Sequence, residues 1–193
     1  PRNDALVHPV PIGEARERTG LPRDRRILLY APTFRDSAHG GAFPPPFDLA
    51  AAAQKLSEIT GEQWVPVARA HSENAGVAGA AIDVSRYPDM AELLMAADLL
   101  ITDYSSCAGD FPLLGRPVVL YQPRDKFERG LYFDIEKSPY RIAHDEAELY
   151  RTFAHLNDAK DDAEKILAFF GANETGKSAG AVARRISEWM DKR

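Results

Sequence analysis

The feature that most constrains the fold of this chain is a set of short, nearly unbroken apolar runs. "RILLYA" (Arg26–Ala31), "QWVPVA" (Gln63–Ala68), "AIDVS" (Ala81–Ser85), "LLIT" (Leu99–Thr102) and "PVVLY" (Pro117–Tyr121) are all of strand length. A strand with one face in water alternates apolar and polar side chains. These runs do not, so each is expected to be covered on both faces, as in a parallel sheet. The intervening segments supply the cover: "FDLAAAAQKLSEITG", closed by Gly61, and "YPDMAELLMAAD" have helical spacing. So do "HDEAELYRTFAHLN", "DDAEKILAFF" and Ser178–Lys192. The alternation predicts an α/β fold, a Rossmann-like parallel sheet with helices on both faces. Pro66 removes a ladder N–H from its run, so that strand is expected to be partly an edge or to carry a bulge. Pro112 is expected to kink or restart the helix after "ITDYSS". The stretch "PTFRDSAHGGAFPPPFD" is a long loop rich in Pro and Gly, of the kind that carries function or moves.

The 193 residues suit one domain with a full core, and 45% hydrophobic with 27% charged residues is a globular composition. A net charge of -5 leaves no positive field for a nucleic-acid surface. Cys107, the single cysteine, excludes an intrachain disulfide and fits a reducing compartment. The chain opens on Pro1 rather than Met, so it is expected to be part of a longer one. No His/Cys cluster exists and Asp103, Asp110 and Asp134 are not at ligand spacing, so no metal site is expected.

"GANETGKS" (Gly171–Ser178) fits the phosphate-binding pattern G-x-x-x-x-G-K-[ST]. That loop works when a strand delivers the chain to a turn whose N–H groups wrap a phosphate at a helix N-terminus. Here Ala163, Ile166, Leu167 and Phe170 recur at helical spacing, so the preceding segment reads as a helix that Gly171 ends. The match is then a linker and helix start, with Ala179, Val182, Ala183 and Ile186 as the buried face of the last helix.

"ADLLITDYSSCAGDFPLLGRPVVLY" (Ala97–Tyr121) carries the stronger signal. Parallel α/β sheets bind ligands at the carboxyl ends of their strands. Thr102 and Asp103 end such a strand, and Ser105 and Ser106 would present hydroxyls and N–H groups to a pyrophosphate at a helix N-terminus. Asp110, four residues beyond Ser106, could accept from ribose hydroxyls. An ordinary N-cap and a solvated surface acid account for the same residues equally well.

That block, followed by the rest of the chain, resembles the CDP-glycerol glycerophosphotransferase family, the teichoic-acid and capsule polymerases built on a GT-B scaffold of two Rossmann-like domains. The likeness runs through "PRNDAL", "LLYAPTFRD", "VARAH", "VSRYPDMAELLMAADLLITDYSS" with "DF", "RPVVLYQP", "FERGLYFD" and "TGKSAGAVARRI", in the family's order. It implies that residues 1–193 are one donor-nucleotide-binding domain, the C-terminal half of a GT-B scaffold. Residues 1–20 would be the interdomain junction and first helix, and 176–193 the terminal helix. It implies transfer of glycerol phosphate, or a related polyol phosphate, from a CDP-linked donor to a hydroxyl of a growing polymer, with release of CMP. His71 would be catalytic, contacting the donor's phosphate oxygens. Thr33, Arg35, Arg69, Thr102, Asp103, Ser105, Ser106, Asp110 and Arg129 would bind the donor, and Asp134 would line the cleft. No cofactor is required, and no residue supports a Mg²⁺ on the donor pyrophosphate beyond its being allowed. The partners implied are CDP-glycerol, a polymer acceptor and an N-terminal acceptor domain with its own catalytic histidine. Without that domain this chain should bind the donor but not catalyse, and an apolar face of the last helix or the cleft loops should lack cover. The whole enzyme would sit at the cytoplasmic face of the cell membrane. The rival readings are a nucleotide-sugar glycosyltransferase of the same scaffold and, more distantly, a P-loop NTPase using Lys177.

Overall fold

The computed structural model describes residues 2–33, 45–70, 77, 79–123 and 134–191. Two short helices, α1 (Asp4–Val7) and α2 (Ile12–Thr19), lead into β1 (Arg26–Tyr30). There follow α3 (Leu49–Thr60), β2 (Trp64–Ala68), β3 (Ile82–Asp83), α4 (Met90–Ala96) and β4 (Leu99–Thr102). Next, α5 (Cys107–Asp110) runs into a 3-10 turn over Phe111–Leu114, ahead of β5 (Val118–Tyr121) and β6 (Arg141–Ala143). Three helices finish the chain: α6 (Glu146–Phe153), α7 (Ala159–Phe169) and α8 (Ser178–Met190).

The six strands form one sheet in the order β3-β2-β1-β4-β5-β6, every pair parallel. Both faces are buried, which is why the runs are not alternating. Ile27, Leu29, Val65, Val67, Leu100 and Leu120 face a layer built with α1, α2, α4, α5 and α7. Leu28, Tyr30, Leu99, Ile101, Val119 and Tyr121 face the opposite layer, built with α3 and α6. The α3 helix shows how local chemistry sets an element. Asp48 accepts from the Ala51 N–H at its start, Leu49, Ala52, Ala53 and Leu56 form its buried stripe, and Gly61 ends it at φ 71°.

Pro66 stands opposite Leu28 in β1 with no bulge in the register. Its carbonyl and that of Ala68 accept from Ala81 and Val84, on the β3 side. The missing N–H therefore points toward β3, which pairs only with Val67 and Ala68, so Pro66 faces the open part of a nearly edge-like strand. Pro112 acts as expected: the α-helix stops at Asp110 and a 3-10 turn carries the chain to Gly115 at φ 64°. The sixth strand was not legible. It has three residues, two of them only half-buried, and no apolar run announces it.

The segment before "GANETGKS" is the helix α7, and Gly171 follows it at φ 61°. A phosphate-binding loop lacks its strand here. The N-terminus of α8 is also occupied: the Ser178 and Ala179 N–H groups donate to the Asp4 carboxylate at 3.0 and 2.7 Å. Those two bonds, the Ala179 one foremost, hold the Asp4 carboxyl below its ordinary value. A carboxyl lowered on folding stabilises above its unfolded value, near 3.9, and the gain is lost as pH falls through the folded value. Asp4→Ala is therefore expected to release the Ser178 and Ala179 amides to rapid hydrogen exchange near neutral pH. Acid titration of the unmodified chain from about pH 4 downward should shift the same two amide resonances.

The burial expected for α8 is not seen. No residue of the helix is buried, and Val182 (47%), Ile186 (53%), Trp189 (55%) and Met190 (63%) are exposed along it. The helix forms, but Val182, Ile186 and Met190 stay exposed on it instead of forming a buried face.

Candidate functional site

The strand order reverses direction between β1 and β4, so the crossovers leave those two strands on opposite ways and open a crevice at their carboxyl ends. A cleft of about 1050 Å³ lies there. Pro32, Thr33, Arg69, Ser105, Ser106 and Asp110 line it, together with Arg2, Asn3 and the Pro88–Ala91 segment.

The cleft is built from beneath by two buried polar residues. Thr102, with no exposure, donates from Oγ1 to the Ala31 carbonyl at 2.6 Å and so joins the ends of β4 and β1. Asp103, 3% exposed, accepts at Oδ1 from the Thr33 N–H (2.7 Å), the Thr33 hydroxyl (2.6 Å) and the Tyr104 N–H (2.7 Å). Neither lines the cleft. Both were expected among the ligand-contacting residues; the structure puts them under the site, where they fix the two loops that form it. Buried polar groups need such partners, and here the partners are the loops themselves.

Above this floor, Ser105 and Ser106 face the cleft on the turn into α5. That helix is a single turn, so the seat rests on hydroxyls and a few N–H groups rather than on the dipole of a long helix. The Cys107 thiol donates to Ser105 Oγ at 3.2 Å, and burial pushes the thiol's pKa up, which keeps it neutral beside the serines. Arg69 reaches the cleft from the end of β2. Its Nη2 lies 3.5 Å from the Tyr87 carbonyl, and its buried Nε has no hydrogen-bond partner among the described residues. A buried guanidinium N–H without an acceptor is costly unless a ligand supplies one.

Asp110 is held from across the cleft. Arg2 Nη2 donates to both its carboxylate oxygens at 3.0 and 2.8 Å, with side-chain exposures of 67% and 14%. The partner of Asp110 was missed in the sequence. Its only trace was a charged residue inside the opening "PRNDAL". Asp134 is not in the cleft. It caps a 3-10 turn over Ile135–Lys137, accepting from Glu136 N–H at 3.2 Å and pairing with Lys137 at 3.0 Å. Arg35, His71 and Arg129 lie outside the described residues. Among the described residues, no group of three or more His, Cys, Asp or Glu could hold a metal ion.

A parallel α/β sheet with hydroxyls and an arginine lining the crevice at its strand-order reversal is a Rossmann-type fold. The chain belongs to the family described as CDP-Glycerol:Poly(glycerophosphate) glycerophosphotransferase, whose profile matches residues 1–190. It is 40% identical over 151 residues to a teichoic acid poly(glycerol phosphate) polymerase of Bacillus subtilis, covering 71% of this chain and 20% of that protein. It is 29% identical over 209 residues to a teichoic acid glycerol-phosphate transferase of Staphylococcus aureus, covering 100% of this chain and 53% of the relative. The solved structure of the wall teichoic acid polymerase TagF superposes with a TM-score of 0.76 at 30% identity, over 99% of this chain and 51% of the other. A variant of TagF soaked with CDPG superposes at 0.75 and 29% identity, again over 99% and 51%. The chain thus spans about half the length of these relatives or less.

Proposed function

We propose that the chain is the donor-binding half of a transferase that moves glycerol phosphate from CDP-glycerol to a hydroxyl of a teichoic-acid-like polymer. The observation that carries this reading is the strand-end cleft lined by Arg69 after β2 and by Ser105 and Ser106 after β4. A pyrophosphate is a ligand that suits such a lining. Its oxygens accept from guanidinium, hydroxyl and backbone N–H together. The family membership and the relative soaked with CDPG support cytidine as the base and glycerol as the transferred alcohol.

In the reaction, the acceptor oxygen forms a bond to the donor's β-phosphorus while the bond from that phosphorus to the bridging oxygen breaks. CMP leaves with the bridging oxygen's electrons, and the acceptor proton passes to a base. Arg69 and the serines would oppose the charge that gathers on the departing phosphate, with His71 and Arg35 adding donors to the same oxygens. The base and the acceptor would come from an N-terminal domain, and the exposed Val182, Ile186 and Met190 of α8 support a neighbour of that kind. Such an enzyme would work peripherally at the inner membrane face; among the described residues no helix is long and apolar enough to cross a membrane.

Calorimetric titration with CDP-glycerol, CMP, UDP-glucose and ATP tests the reading. Cytidine-selective binding that survives Lys177→Ala and weakens in Ser106→Ala is expected. Preference for UDP-glucose would move the chain to the nucleotide-sugar enzymes, and ATP binding lost with Lys177→Ala would sink the proposal.

A further inference from the structure

The sheet ladder gives out just where Arg69 leaves it. The Arg69 N–H donates to the Tyr30 carbonyl at 2.9 Å, the last bond from this segment to β1. On the other side β3 has only Ile82 and Asp83, so the next amide, Ala70 N–H, has no strand to pair with. A side chain takes its place: Ala70 N–H donates to Ser85 Oγ at 2.9 Å. Ser85 is 8% exposed, and its hydroxyl donates in turn to Asp83 Oδ1 at 2.5 Å. Asp83 Oδ1 also accepts from the Ser85 N–H at 2.8 Å, which folds residues 83–85 into a tight Asx turn. The same turn continues to Tyr87. The Tyr87 N–H donates to Val84, its carbonyl lies 3.5 Å from the Arg69 guanidinium, and its hydroxyl donates to Glu92 on α4 at 2.5 Å.

The geometry points to Ser85 and Asp83 as positioning residues for the anion seat, acting through Arg69. The relay Asp83–Ser85–Ala70 fixes the backbone one residue beyond Arg69, and with the Tyr87 carbonyl 3.5 Å from Nη2 it sets where the half-buried guanidinium stands at the cleft. Neither Ser85 nor Asp83 lines the cleft, so neither touches the ligand. A purely structural role is the alternative, since a two-residue edge strand needs its end tied. The distinction is whether Ser85 matters once Arg69 is gone. This inference rests on the reading of the cleft as a phosphate seat, and inorganic pyrophosphate serves as a probe that needs no cytidine.

The experiment is a double-mutant cycle on Ser85→Ala and Arg69→Ala, reading affinity for pyrophosphate and for CDP-glycerol, with thermal unfolding recorded for each variant. Loss of the Ala70 bond should weaken pyrophosphate by about five-fold, as for one hydrogen bond. Ser85→Thr, which keeps the hydroxyl, should restore affinity, as should Asp83→Asn, which keeps the acceptor, while Asp83→Ala should match Ser85→Ala. In the Arg69→Ala background Ser85→Ala should do nothing further. Additive losses, or full affinity in a Ser85→Ala variant whose Ala70 amide has lost its exchange protection, would overturn the positioning role. Pyrophosphate binding with the expected cycle but no response to CDP-glycerol would uphold the inference and sink the donor assignment. A chain that takes neither anion overturns both.

Discussion

Arg69→Ala is expected to weaken CDP-glycerol binding about ten- to a hundred-fold, the range for hydrogen bonds to a charged group worth about 1.5–3 kcal/mol. The reason lies in the state of the side chain before the ligand arrives. Its Nε is buried without an acceptor, and Nη2 has only a long contact to the Tyr87 carbonyl. One donor of the guanidinium is already desolvated and another has only that long contact, so phosphate oxygens that reach its half-exposed edge compete with few internal partners. Removal of the side chain also removes an unsatisfied buried donor, so thermal stability should change little while affinity falls. Arg69→Lys should land between the two, because it keeps the charge and loses the planar fork and Nε. Calorimetric titration of the three proteins at one ionic strength decides the matter; equal affinities would remove Arg69 from the site.

Asp103→Ala, unlike Arg69→Ala, is expected to cost stability, with a loss of about 3 kcal/mol read by urea denaturation. One carboxylate oxygen accepts from two backbone N–H groups and a hydroxyl, at 2.6–2.7 Å, on a residue 3% exposed. Truncation takes the shared acceptor from three part-buried donors, each at a cost toward the low end of about 1–3 kcal/mol where cleft water can replace it. It also unties Thr33 and Tyr104, two cleft-lining residues on different loops. Asp103→Asn retains an acceptor at Oδ1 and should lose less. A loss under about 1 kcal/mol in the alanine variant would mean that the loops after β1 and β4 are held by something other than this carboxylate.

The difference between these two residues also marks what the sequence could disclose. Four strands were legible because burial on both sides of a parallel sheet writes itself as unbroken apolar runs, as in "RILLYA" and "LLIT", whereas "AIDVS" holds only the two-residue edge strand Ile82–Asp83, half-buried and exposed. Arg141–Ala143 escaped because a short edge strand needs little apolar surface. Ser105, Ser106, Thr33 and Arg69 could be placed by position alone, since residues just past a parallel strand's carboxyl end face the crevice. Thr102 and Asp103 occupy equivalent positions, yet they point inward. Nothing in "ITDYSS" separates a hydroxyl that faces a ligand from one that ties two strands, because that depends on which loop comes alongside. The Asp110–Arg2 pair spans 108 residues and has no local signature at all. "GANETGKS" is the reverse case, a complete local pattern whose surroundings, a helix before it and Asp4 at its N–H groups, belong to another structure.

The strand order has a consequence in time as well as in space. The first of these six strands in chain order, β1, lies in the interior of the sheet, and both its neighbours are synthesised after it. Its crevice wall from β4 and its turn exists only once the ribosome has passed Ser106, and the clasp between Arg2 and Asp110 only 108 residues after Arg2 is joined. At about 5–20 residues per second, Arg2 waits roughly 5–20 s for its partner. During that wait the apolar faces of β1 and α3 have no finished sheet to rest on. A growing chain of this kind is expected to expose those apolar faces until β4 is made, the stage at which a chaperone would meet it.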